Sequence, residues 1–121
     1  MKGDNLGEFE EVVLLAIRGL GSMATGGTIQ ERLERTAGRR ATLGAIYAAL
    51  DRAERKGLVE SWLGEPQPVP GGRRRREYAV TRSGESALAE SRRVREALWR
   101  GARGGAAGAD AAGDAGSGGA A

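Results

Sequence analysis

Four consecutive guanidiniums, Arg73 to Arg76, follow Gly71-Gly72 and lead into Glu77-Tyr78-Ala79-Val80. Like charges this close repel one another unless an anion lies among them, and the planar guanidinium fork matches phosphate oxygens. The chemistry open to this run is anion pairing, with Arg73 and Arg74 toward a minor groove or phosphate and Arg75 toward phosphate. A second set of candidates surrounds Thr42. Arg39 and Arg40 fall just before it, where phosphates meet the open amides of a helix N-terminus. Thr42, Gly44 and Ala45 are short enough for base edges and backbone to come close, through thymine-methyl and backbone contact. Tyr47 can pack its ring while its hydroxyl reaches a phosphate, and Arg52 extends the same side toward the backbone of a nucleic acid.

Composition removes most other chemistry. The 121 residues include no cysteine and no histidine, so disulfides, thiolate nucleophiles and the usual zinc and imidazole sites are excluded. The carboxylates are scattered among arginines with no nucleophile placed beside a base, and neither a catalytic residue nor a cofactor nor a metal is expected. Net charge is +3, but its distribution says more: residues 1–38 hold four basic and six acidic side chains, residues 39–82 ten basic and five acidic. The basic excess coincides with the candidate residues, where phosphate neutralisation would need it.

These residues need elements to position them. Thr42 can cap a helix of about four turns that ends at Gly57, with Arg55 and Lys56 at the negative end of its dipole. Leu43, Ile46, Leu50 and Ala53 form its apolar stripe, opposite Gly44, Ala45, Ala48, Asp51, Arg52 and Arg55. Leu58 to Leu63 reads as a strand and Arg73 to Val80 as another, with Gly64 to Gly72 as the loop between them because it holds all three prolines. Upstream, Leu6 to Gly19 is a first helix, Gly21 to Gly27 a loop, and Thr28 to Ala37 a second helix with a capping box from Thr28 to Glu31. Glu8, Glu10 and Glu11 read as a solvated helix start favoured by the dipole. Downstream, Thr81 caps a last helix to about Arg100, and the Gly/Ala-rich 101–121 has too little surface to bury and reads as a disordered tail.

The fold class expected is mainly α with a two-stranded β wing: a winged helix-turn-helix over 1–80, a C-terminal dimerisation helix over 81–100, and the tail. In such a fold the helix enters the DNA major groove and the wing reaches beside it. The first helix is apolar around most of its circumference, more than a small monomer can cover. Phe9, Val12 and Leu15 on it, with Leu88, Val94, Leu98 and Trp99 on the last helix, are therefore the expected interface of a homodimer. The longest apolar run, Val12 to Ile17, is far short of the roughly 20 residues that cross a bilayer, so a cytoplasmic protein with no membrane partner is expected.

Several stretches together resemble the PadR family of bacterial transcriptional regulators, in its version with a short C-terminal region. They are Leu6 to Glu11, Leu43 to Arg52, Glu54 to Val59, Gly71 to Arg74 and Tyr78 to Gly84, in order over about residues 6 to 100. The resemblance implies a homodimer joined through its first and last helices that binds a pseudo-palindromic double-stranded operator and usually represses. It also implies release by a small aromatic or drug-like effector, for which Trp99 and its counterpart across the dimer axis would form a slot. Thr25-Gly26 stands where the family commonly has Tyr-Gly, and Ala53 where a leucine is usual. A second reading stays open: a winged-helix protein-interaction module with no specific DNA target, its arginines merely a solvated edge that blocks strand pairing.

Overall fold

A computed structural model describes residues 6–66 and 68–111. Its elements run α1 (Glu8–Leu20), a short 3-10 turn (Gly21–Met23), α2 (Gly26–Ala37), α3 (Leu43–Arg55), β1 (Val59–Pro66), β2 (Arg74–Val80) and α4 (Arg82–Ala111). This is the expected order of a winged helix-turn-helix followed by one long helix. The chain divides within α4 into two compact units, the first ending at Leu88 and the second beginning at Ala89. Among the described residues no single helix is long and apolar enough to cross a membrane.

The core of the first unit is three-helical with a sheet edge. Val13, Leu14 and Ile17 of α1 pack with Ile29 and Leu33 of α2, with Ile46, Ala49, Leu50 and Ala53 of α3, and with Leu58, Val59 and Tyr78 around the sheet. Each helix is fixed by its ends. Thr42 caps α3 by accepting from the Ala45 N–H at 3.0 Å. At the other end Leu58 N–H donates to Ala53 C=O and Gly57 takes φ +78°, a left-handed turn that a side chain would strain. Gly38 does the same for α2 at φ +61°.

Six expectations need correcting. First, α2 starts at Gly26 with Thr25 as its cap, not at Thr28. Thr28 is the third helical residue: its N–H donates to Thr25 Oγ1, and its own hydroxyl accepts from the Thr25 N–H at 2.8 Å, the part expected of Glu31. Second, Leu43 is 41% exposed while Ala49 is buried. At the first position of α3 the side chain projects past the end of the core, so the buried stripe begins a turn later. Third, β1 continues to Pro66, which sits opposite Arg74 beyond an irregularity after Leu63; the end of the ladder is where a missing N–H matters least. Fourth, Glu10 and Glu11 are buried rather than solvated. Fifth, Leu88, expected at a dimer interface, is 7% exposed within its own core, one turn beyond Gly84 on the face of α4 turned to the sheet. Sixth, residues 101–111, expected as tail, continue α4, whose alanines are strong helix formers; the rest of that segment, 112–121, lies outside the described residues.

The start of α4 is tightly tied. Thr81 Oγ1 accepts from the Gly84 N–H at 3.0 Å and donates to the Gly57 carbonyl at 2.6 Å, while the Thr81 N–H donates to Leu58 C=O. Gly84 lies against the chain there: a Cβ on it would overlap the Leu58 carbonyl oxygen and stand 2.6 Å from Val80 Cγ1. An exposed helical Gly→Ala stabilises by about 1 kcal/mol, but here backbone blocks the methyl, so Gly84→Ala is expected to destabilise by about 3 kcal/mol in urea unfolding. A stabilised variant would show that α4 does not seat on the sheet here.

Candidate nucleic-acid interface

The outer side of α3 is bare at its N-terminal half. Thr42, Gly44, Ala45, Tyr47 and Ala48 are all exposed, and a Cβ on Gly44 would meet only the Thr42 hydroxyl, at 3.9 Å. Nothing longer than tyrosine stands between this part of the helix and whatever docks on it. Tyr47 is 47% exposed, and its ring lies over Gly26 so closely that a Cβ there would overlap its hydroxyl. Gly26 in the first turn of α2 is thus the seat that lets the Tyr47 ring lie between the two helices.

The wing is an antiparallel pair with Val59 opposite Val80, Ser61 opposite Tyr78 and Leu63 opposite Arg76. Directly opposed residues share a face, and alternation from buried Tyr78 puts Arg76 and Arg74 on the face that continues the core. A hydrogen-bond chain confirms this side: Arg76 Nη1 donates to Ser61 Oγ at 2.9 Å, and Ser61 Oγ donates to Glu54 Oε2, in the last turn of α3, at 2.9 Å. Arg75 falls on the other face with Trp62, whose Nε1 donates to Glu77 at 3.1 Å. Arg73 to Arg76 are all exposed. The Tyr78 N–H donates to Ala24 C=O, closing the free side of β2 there. Further out, a crevice of about 440 Å³ opens between Arg75 and Arg76, Tyr47, and residues Thr25 to Thr28 at the start of α2.

The remaining expected contacts are cations with protein partners. Arg39 gives Nη1 and Nη2 to the Glu8 carboxylate at 2.8 and 3.0 Å and lies 5.2 Å from the Phe9 ring centre. That hydrogen bond holds its pKa above the ordinary guanidinium value. Arg40 reaches Glu34 at 3.4 Å, Arg55 pairs with Asp51 at 2.8 Å, and Arg52 Nε donates to Glu10 at 3.2 Å. Glu10 also accepts from Lys56 Nζ at 2.9 Å and from the Gly7 N–H at 3.0 Å. Burial alone would raise the Glu10 pKa, but the bond from Lys56, then those from Gly7 and Arg52, outweigh it and hold it below the usual carboxylate value.

Two residues of this surface were not among those expected. Arg76 was legible in principle, since a buried Tyr78 dictates the face of the residue two before it. Glu10 was not, because its partners lie 42 and 46 residues away. Of the residues expected at a dimer interface, Phe9 and Val12 are partly buried against the core, whereas Leu15 is 48% exposed on α1. In the second unit Val94, Leu98 and Trp99 are exposed, and Arg95, Leu98, Trp99 and Ala102 line a shallow hollow of about 220 Å³.

Residues 14–90 match the family described as "Transcriptional regulator PadR-like family". No curated protein matches the whole-chain sequence. Among solved structures, a PadR family transcription regulator from hypervirulent Clostridium difficile is similar at 23% identity and TM-score 0.61, over 76% of this chain and 92% of that one. A PadR-like transcriptional regulator from Bacillus cereus is similar at 21% identity and TM-score 0.63, over 79% and 88%. Bacillus subtilis PadR in complex with operator DNA is similar at 19% identity and TM-score 0.58, over 69% of this chain and 45% of that one.

Proposed function

Because the chain belongs to the PadR-like family of transcriptional regulators, we propose that it binds double-stranded DNA sequence-specifically, as a homodimer on a pseudo-palindromic operator, and represses transcription in the cytoplasm. Residues 1–80 form the DNA-binding domain and 81–100 the dimerisation helix. The exposed Leu15, Val94, Leu98 and Trp99 are the apolar side chains available for pairing two copies. The hollow at Trp99 is the place for a small aromatic effector, with its floor supplied by the second copy.

The observation that supports the reading is the Arg76–Ser61–Glu54 chain, which ties the face of the wing that carries Arg76 and, by alternation, Arg74 to the last turn of α3. One duplex can then meet the bare side of α3 in its major groove and Arg74 and Arg76 at the adjoining backbone. With so few long polar side chains at the N-terminal half of α3, base-edge readout is sparse, and DNA shape carries much of the specificity. Thr42, Gly44 and Ala45 meet base edges; Arg39, Arg40, Tyr47, Arg52, Arg73, Arg74 and Arg76 meet phosphates, and Arg75, on the other face of the wing, contributes less.

Gel shift with the DNA upstream of the protein's own gene tests this. The expected result is a sequence-selective complex whose log affinity falls with log salt by about 0.9 per phosphate neutralised, on two half-sites about one helical turn apart. Binding that is indifferent to sequence and salt would favour a protein-interaction module instead.

A further inference from the structure

The first turn of α1 gathers cations from two separate parts of the helix-turn-helix. The Glu10 side chain is 4% exposed and holds Arg52 Nε at 3.2 Å and Lys56 Nζ at 2.9 Å, both near the C-terminal end of α3. Two residues earlier Glu8 holds both terminal nitrogens of Arg39, from the turn before α3, at 2.8 and 3.0 Å, with Phe9 beneath the guanidinium. Two carboxylates thus engage three cations that lie on the DNA-binding elements. None of the three is buried away: the side chains of Arg39, Arg52 and Lys56 keep 39%, 48% and 26% of their exposure.

Sequence-independent affinity grows with the number of phosphates a protein can neutralise, and a mobile cation serves it well because it can follow phosphates in any register. A cation already hydrogen-bonded to a carboxylate has part of its charge offset and its rotamer fixed. It contributes less to DNA in an arbitrary register, but loses little further freedom when a phosphate arrives where it already points.

We propose that the first turn of α1 is a selectivity element: Glu8 and Glu10 hold Arg39, Arg52 and Lys56 in fixed positions with their charge partly offset, lowering affinity for DNA of any sequence while preserving it for DNA held in one register. This rests on the DNA-binding reading above. Glu8 and Glu10 are positioning residues and touch no DNA themselves. Their effect is therefore on the ratio of two affinities, which a purely structural carboxylate would leave unchanged.

The probes are a duplex selected by the wild-type protein from a random library and poly(dI-dC), each titrated at several salt concentrations with the wild type, Glu10→Gln and Glu8→Gln. Each variant is expected to bind poly(dI-dC) about 3- to 10-fold more tightly, with a salt slope steeper by about one. The selected duplex is bound no better, so the specificity ratio falls by about threefold to tenfold or more. A ratio unchanged in both variants, with affinities either constant or falling together, overturns the inference. Glu8→Gln decides the matter if Glu10→Gln fails to fold, since the Glu8 side chain is 60% exposed. A wild type that selects no duplex overturns the DNA-binding reading and the inference with it; a wild type that selects one, with unchanged ratios in the variants, overturns the inference alone.

Discussion

Ala45→Glu is expected to fold at least as stably as the wild type and yet to lose about a hundredfold to a thousandfold in DNA affinity. The two halves of this result come from different physics. Ala45 is the third residue of α3, and its N–H donates to the hydroxyl of the cap residue Thr42. Glutamate at that position completes a capping box, reaching back to the cap amide and placing negative charge at the positive end of the helix dipole. Ala45 is exposed, so no core atom has to move. On a helix that lies in the major groove, the same carboxylate stands among phosphates and base-edge acceptors, and like-charge juxtaposition costs several kcal/mol. Thermal melting and fluorescence anisotropy on one preparation read both halves. A stable variant that binds DNA within about threefold of the wild type would remove α3 from the groove, whereas loss of both stability and binding would show that the change damaged the fold.

What could be read in the sequence and what could not divides along the range of the interactions. Thr42, Gly57 and Thr81 act through hydrogen bonds or backbone angles within a few residues, and each stands where its type predicts. The three prolines marked the wing, although Pro66 proved able to end a strand because only its N–H is lost there. The start of α2 is ambiguous in the sequence because threonine can play either part in a capping pair. Thr25 and Thr28 use each other, leaving Glu31 to a loose 3.8 Å pairing with Arg35.

The departures that bear on the site are of another kind. An acidic first turn looks the same in sequence whether it faces water or two cations brought from α3, so the burial of Glu10 was invisible without the packing of α1 against α3. Leu88 posed the same difficulty in reverse. Val94 and Leu98, expected at the same interface, are exposed, and only the seating of Gly84 on the Leu58 carbonyl shows that this end of α4 turns inward. Likewise the arginine run announces its chemistry through residue type alone, and alternation from Tyr78 sets which arginines share its face, but that this face is tied to α3 shows only in the Arg76–Ser61–Glu54 chain.

That facing yields the second large effect. Arg74→Ala combined with Arg76→Ala is expected to weaken binding to every DNA sequence by at least about a hundredfold, because two charge-assisted hydrogen bonds worth about 1.5 kcal/mol or more each are lost. The salt slope should become shallower by about two, one for each phosphate no longer neutralised. Stability should hardly change, since both residues are exposed and Arg76 gives up only a surface bond to Ser61. Arg75→Ala is the internal control: the same charge is removed one residue away, on the face shared with Trp62 and Glu77. It should lower affinity less than either Arg74→Ala or Arg76→Ala alone, with a smaller change in slope. If Arg75→Ala is instead the most damaging of the three, the outer face of the wing meets the duplex, and α3 and the wing cannot both contact one DNA in the manner proposed. Arg76→Lys adds the last distinction: it keeps the charge, so a restored salt slope with affinity still reduced would mark a geometric, guanidinium-specific contact, and full recovery a simple point charge.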